Sequence, residues 1–341
     1  MGLKAIASRL HFSKSYSYNN KRQQSQQQHP PQHHESTSSP QLRLAQLQHV
    51  KQLAPALYGQ VWLCRDTSAN TNSAKVAVKT DVHKERRVHA TLRKRRQSDC
   101  SNASSNVLLV QEEIEFKGVL YMVFDFCAAG DLLDVVKRSP RGRLDERTCR
   151  SFLKDVACGL QFLHRAGFAH RDISLENVLV TSKGECKLSD FGLVCDISCS
   201  SRNKKTASQR VGKAWYMAPE VYACDGSGDN STQEEGNPET SAEQDGCYDP
   251  VQADIWSLGI LLVIMLTGAP LLHSASVLDR RFQFILQNGP QALFTRSIIT
   301  EKVSPEAQDL ICRMLQVTPE KRISLDAVLE HPFFGATPAQ H

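Results

Sequence analysis

No window of this 341-residue chain reaches the ~18 consecutive apolar residues that a bilayer crossing needs. The best run, Leu258 to Leu266, has nine and reads as a buried helix. Excess charge is also scarce: 41 Lys and Arg against 36 Asp and Glu leave a net +5. That is modest for the length and calls for neither nucleic acid nor membrane as a partner. The 11 cysteines lack the paired spacing of a metal site; Cys195 and Cys199 make only a C-x-x-x-C. Their odd, scattered count fits free thiols in a reducing compartment. Acidic residues are missing from the start, where Lys4, Arg9, Lys14, Lys21 and Arg22 all precede the first one, Glu35. What is present is apolar material: 40% of the residues are hydrophobic, ample for two packed units.

Composition divides the chain. Residues 1 to about 41 are rich in Gln, His and Ser, with "QQSQQQHPPQHH" at the centre. Such a stretch cannot bury enough apolar area to offset the entropy of ordering, so a disordered tail is expected. Leu3, Ile6 and Leu10 would share one helical face. With the basic, acid-free start they also fit a mitochondrial transit peptide. The plain solvated tail is the first reading, with cytoplasm or nucleus as the compartment. Gly2 makes a poor myristoylation site, because Ile6 stands where Ser or Thr is wanted.

From about 42 the pattern is globular. "VKQLAPALYGQVWLC", "SAKVAVKTD", "VLLVQEEIE" and "VLYMVFDF" read as strands. Between the second and third lie a basic helix, "HKERRVHATLRKRRQ", with Val88 and Leu92 on one face, and a loop, "SDCSNASSN". After Ala129-Gly130 the character turns helical. "DERTCRSFLKDVACGLQFLHRAG" places Phe152, Leu153, Val156, Leu160 and Leu163 on one side. The expectation is an α+β chain of two lobes with a cleft at the joint. A small strand-rich unit with one main helix covers 42–126, a larger helical unit 127–335, and a short tail 336–341. An insertion at about 222–249 has no Lys, Arg or His and eight acids. It reads as a surface loop, or as a segment that docks on the basic helix or on a basic partner.

Phosphoryl transfer needs metal ions bridging the phosphates, a cation upon them, a carboxylate for the acceptor, and exclusion of water. Lys79 ends a buried strand and has the reach for phosphates. Asp190, in "KLSDFG", sits at a strand end and suits Mg²⁺. Asp172 and Asn177 lie five apart on one loop, so one can orient a hydroxyl while the other holds a second Mg²⁺.

In this order, "VAVK", "HRDISLEN", "DFG", "YMAPE", "DIWSLG" and "PEKRIS…LEHPFF" resemble the eukaryotic protein kinase family over about residues 49–334. The likeness is to the Ser/Thr branch, particularly its calcium/calmodulin-kinase-like members. It implies the two-lobed protein kinase fold, ATP and Mg²⁺, and transfer of the γ-phosphate to Ser or Thr hydroxyls of protein substrates, with Tyr left open. By the same likeness Lys79 meets the α- and β-phosphates, with Glu85 as its partner on the first helix. Asp172 is the catalytic aspartate, and Asn177 and Asp190 are the metal ligands. Phe124 is the gatekeeper, Asp125 to Cys127 form the adenine edge, and Asp131 lies near the ribose. Val61, Ala77 and Leu179 complete the implied nucleotide set. Glu220 pairs with Arg322, and Asp254 accepts bonds from the catalytic-loop backbone.

The departures carry as much information. The phosphate-covering loop should read G-x-G-x-x-G-x-V, but Ala54 and Ala56 replace two glycines and only Gly59 remains before Val61. Alanine disfavours positive φ, so a stiffer loop is expected, and with it weaker ATP binding or a catalytically silent scaffold of kinase shape, a pseudokinase. The family's lysine two residues after the aspartate is Ser174, and its later threonine is Lys213. Hydroxyl and ammonium have exchanged places, which would return the missing charge from the opposite side. Glu176 and Asp131 match acids that hold arginines of basic-directed substrates. Arg171 before the aspartate implies activation by an upstream kinase, at Thr206 or Ser208.

Overall fold

In a computed structural model, the described residues are 39–56, 59–68, 74–80, 83–98, 102–198, 207–224, 248–295 and 303–335. Most of the tail, Thr206 and most of the acidic insertion fall outside them.

Order begins inside the stretch expected to be tail. Helix α1 (Pro40–Ala45) is capped by Ser39, whose hydroxyl accepts from Leu42 N, with a proline in the first turn. Arg43 of this helix reaches Asp66 at 2.7 Å and Glu112 at 2.9 Å. That charge-assisted fork fixes a helix too short to stand alone.

The small lobe is a five-stranded antiparallel sheet in the order β1-β2-β3-β5-β4. Its strands are β1 (Leu47–Ala56), β2 (Gly59–Asp66), β3 (Ala74–Thr80), β4 (Glu112–Phe116) and β5 (Val119–Asp125). Helix α2 (His83–Ser98) follows β3 and turns Val88 and Leu92 into the core. Two readings change here. "VLLVQEEIE" is a strand only in its second half. Leu108 N instead donates to Leu188 O at 2.9 Å, so the chain before β4 pairs with the other lobe. "SDCSNASSN" contains a 3₁₀ turn, Asn102–Asn106. It rests on a long helix of the large lobe at Gly159, where a Cβ would sit 2.5 Å from the Asn106 carbonyl oxygen.

The large lobe holds α3 (Leu132–Arg138), α4 (Glu146–Arg165), α5 (Pro219–Ala223), α6 (Pro250–Thr267), α7 (Arg280–Asn288) and α8 (Pro305–Met314). Gly130–Asp131 pairs with β6 (Val178–Val180), which pairs with β7 (Cys186–Leu188). Helix starts are written in side chains: Asp131, Asp145, Asp249, Asp279 and Ser304 each cap the next helix. The α4 face is buried as its spacing predicts. Each such large apolar side chain contributes about 1.5–3 kcal/mol of transfer free energy. α6 is mostly apolar. Its 18 residues would suit a bilayer by length and composition, yet 83% of them are buried, and it is the core around which the lobe is built. The eight described cysteines are all free thiols.

Arg43 holds the Asp66 carboxyl down at about 2, chiefly by the hydrogen bonds between them. A depressed carboxyl stabilises the fold above its ordinary value near 4, and that stability is lost as pH falls toward 2. Arg43→Ala should therefore cost about 1 kcal/mol at neutral pH, the worth of a pair only partly shielded from water. Denaturant titrations from pH 7 to 2 should show the gap between wild type and variant shrinking below pH 4.

Candidate active site

The loop after α4 is shaped by one carboxylate of α6. Asp254 accepts from His170 N and Arg171 N, each at 2.8 Å, and lies 2.9 Å from His164 Nε2. Those bonds hold Arg171 at φ 64, a left-handed conformation rare outside glycine. Asp172 follows immediately. Its Oδ2 accepts from Asn177 Nδ2 at 2.7 Å and from Lys213 Nζ at 2.8 Å, while its Oδ1 is buried with no protein partner.

A second set of charges lies across the cleft. Lys79 Nζ is 2.5 Å from Glu85 Oε1 and 3.1 Å from Asp190 Oδ1. Burial opposes the Lys79 charge, but the two carboxylates outweigh it and hold the ammonium above its ordinary value. Burial likewise works against Asp190, and Lys79 overrides it, keeping that carboxyl below its usual range. Ser189 N donates to Asn177 O at 2.9 Å, which joins this set to the Asp172 loop.

Between the lobes Ala77, Met122, Phe124, Cys127 and Leu179 form one apolar cluster. Burial pushes the Cys127 thiol up to about 11, so it is a packing group. Asp125 accepts from the Gln111 amide through its carboxylate, at the end of β5 opposite Val76. Asp131 caps α3 through Asp134 N at 2.7 Å, and burial raises its carboxyl. Ala54 lies opposite Val61 and Ala56 opposite Gly59, so the β1–β2 ladder continues to the tip of the hairpin.

The protein kinase domain family matches residues 48–334. The chain belongs to the protein kinase family. It is 33% identical over 228 residues to the serine/threonine-protein kinase cds1 of Schizosaccharomyces pombe, covering 67% of this chain and 44% of that one. It is 28% identical to the Aurora kinase of the same organism, over 87% of this chain and 75% of that one. The phosphorylase b kinase gamma catalytic chain (liver/testis isoform) of Mus musculus is 28% identical, over 67% of this chain and 50% of that one. This kinase chain thus spans half or less of two of these three relatives.

The donor set fits a magnesium nucleotide. Asp190 keeps a half-exposed carboxylate at the cleft. The Asn177 amide nitrogen is committed to Asp172, which leaves its oxygen for a cation. Ala77, Phe124, Cys127 and Leu179 supply the flat apolar contact that a base requires. Of the two exchanged positions, Ser174 is fully buried and its Oγ accepts from Lys213 Nζ at 2.9 Å. Glu220 meets Arg322 at 2.5 Å, and Arg322 also donates to Gln252 O and Gln316 O.

One residue of this kinase was not singled out from sequence. His89, 1% exposed, lies against Phe124 at 5.3 Å and Phe191 at 5.1 Å, and Phe191 meets His170 at 5.8 Å. Its Nε2 is 3.8 Å from Glu85 Oε2. The available signal was its spacing: it stands one turn after Glu85, on the same side as Val88 and Leu92.

Gly212 is needed for this geometry. Its φ is +97, and a Cβ there would stand 2.6 Å from Arg171 O. Gly212→Ala should push Lys213 off Asp172. The expected result is a protein that still folds but melts a few degrees lower, and whose turnover falls at least tenfold. Circular dichroism melts together with phosphate-incorporation rates check both halves.

Proposed function

We propose that this chain is an ATP- and Mg²⁺-dependent protein kinase that phosphorylates Ser or Thr side chains of other proteins. The supporting observation is that Lys79, Glu85 and Asp190 on one side, and Asp172, Asn177 and Lys213 on the other, face one cleft within hydrogen-bonding reach of their partners. Nucleotide bound with Mg²⁺ supplies the transferable phosphoryl group; Asp190 and Asn177 would hold the metal and Lys79 the phosphates. Asp172 orients the acceptor hydroxyl with its carboxylate and takes up the proton released there.

Lys213 supplies the charge that Ser174 lacks. It reaches Asp172 from the segment opposite, and a unit charge ~4 Å from a developing negative charge contributes about 4 kcal/mol at an effective dielectric near 20, before desolvation is deducted. Ser174 accepts a bond from that ammonium and so keeps it pointed inward. Asp131 and Glu176 act on one another electrostatically. Two carboxylates so close to the Asp172 loop favour a basic residue near the acceptor of the substrate. Ser208 is exposed. It precedes Gln209, whose carbonyl shares a tyrosine hydroxyl with Arg171. Ser208, or Thr206 beyond the described residues, is the proposed target of an upstream kinase.

The direct test is purified protein with Mg-ATP and a panel of Ser, Thr and Tyr peptides. Incorporation into Ser or Thr that Asp172→Asn abolishes supports the proposal; nucleotide binding without transfer would make the chain a scaffold instead. Lys79→Met and Asp190→Asn should each lower turnover by about two to three orders of magnitude with the fold intact, because each removes about 3–4 kcal/mol of charge stabilisation. Lys213→Thr alone should be severely impaired, and adding Ser174→Lys should restore much of the loss. A double-mutant cycle on kcat reads that coupling; additive losses would show that Lys213 never replaced the missing lysine.

A further inference from the structure

Placing the cation at Lys213 has a mechanical consequence. Asp172 sits on a loop fixed to α6 by Asp254, but Lys213 sits on the segment that runs from Asp190 to Glu220. A charge on that segment is useful only while the segment is held in register with the loop. On the C-terminal side of Lys213, Ser257 of α6 donates to Tyr216 O at 2.8 Å. The N-terminal side needs its own tether.

We propose that Tyr248 is that tether: a positioning residue that holds Lys213 on Asp172. The proposal rests on the reading of Lys213 given above. Ala207 and Tyr248 exchange both backbone hydrogen bonds at 2.8 Å, an antiparallel bridge that stands apart from every sheet. The Tyr248 hydroxyl donates to Gln209 O at 2.9 Å and accepts from the Arg171 guanidinium. Arg171 Nε donates in turn to Leu193 O at 2.7 Å, and the Arg171 carbonyl packs against Gly212, the neighbour of Lys213. One backbone bridge and two contacts of the hydroxyl, with Gln209 O and with Arg171, thus fix the backbone on the approach to Lys213.

The other end of the tether is rigid. Tyr248 is 4% exposed and is followed at once by Asp249, which caps α6 by accepting from Val251 N at 2.8 Å. Asp254 lies in the first two turns of that same helix. Asp172 and Lys213 therefore take their positions from one common frame, through Asp254 and through Tyr248. Losing the hydroxyl leaves Gln209 O and Arg171 each short of a partner and frees the segment to drift. The nucleophile-side carboxylate stays, and the cation moves.

The test is Tyr248→Phe in two backgrounds. In the natural sequence kcat should fall about threefold to tenfold, the worth of one hydrogen-bonding group, with KM for ATP and peptide little changed. Amide hydrogen exchange over 209–213 should quicken without any nucleotide present. In the Lys213→Thr/Ser174→Lys protein the cation is back on the loop anchored by Asp254. There Tyr248→Phe should quicken the same amides but change kcat by less than about twofold. Ala207→Pro, which removes the donor at the other end of the bridge, should reproduce the pattern. Equal losses of kcat in both backgrounds, or unchanged exchange over 209–213, would overturn the positioning role while leaving Lys213 in place. An inactive Lys213→Thr/Ser174→Lys protein would overturn the reading of Lys213, and the tether with it.

Discussion

A carboxylate at 1% exposure is the constraint on which this structure turns. A buried, ionised Asp254 is tolerable only if its oxygens are filled, since the desolvation penalty of such a group runs to several kcal/mol. Two successive backbone amides and an imidazole fill them. The path of the catalytic loop is thereby decided: any other route strands a charge in the centre of the large lobe. Because Asp254 belongs to a helix buried on every side, the loop inherits the rigidity of the core rather than the mobility of a surface connection.

The charges above that anchor alternate. Carboxylate, ammonium and carboxylate run through Glu85, Lys79 and Asp190; carboxylate, ammonium and hydroxyl run through Asp172, Lys213 and Ser174. Each cation is met by an anion of the protein, and at Lys79 the two carboxylates outweigh the burial that would otherwise disfavour its charge. Cations already desolvated and aimed need little rearrangement when phosphate oxygens arrive, which is the physical content of preorganisation. On the proposed reading of Lys213, the chemistry requires a positive charge at a place, and two segments border that place.

Much of the two lobes was legible because periodicity and capping are local. The α4 face, its Asp145 cap and the β3 strand ending in Lys79 each follow from a few neighbouring residues. The cleft residues were read as a set from the order of their motifs and its resemblance to the protein kinase family, and the structure brings Lys79 to Glu85 and Asp190, and Asp172 to Asn177 and Lys213. What escaped notice depends on partners far away in sequence. Helix α1 carries a recognisable Ser39-Pro40 start, but its order comes from Arg43 finding Asp66 and Glu112, and no local pattern announces that. The 3₁₀ turn at Asn102–Asn106 looks like loop and becomes ordered by packing on Gly159. His89 hides among Lys and Arg as one more polar residue, although its surroundings are rings. Tyr248 closes a polar insertion in the sequence and, in the structure, stands just before the Asp249 cap of α6.

Asp190 shares with Arg171 a backbone that L-residues avoid, at φ 63 and φ 64. Neither is glycine or asparagine, the residues that would sit there with least strain. Of order 1–3 kcal/mol is held at each position by surrounding hydrogen bonds. Selection for a durable fold alone would relax both sites. At both positions the strain is tolerated because neighbours hold the backbone: Asp254 accepts from Arg171 N, and Lys79 meets the Asp190 carboxylate.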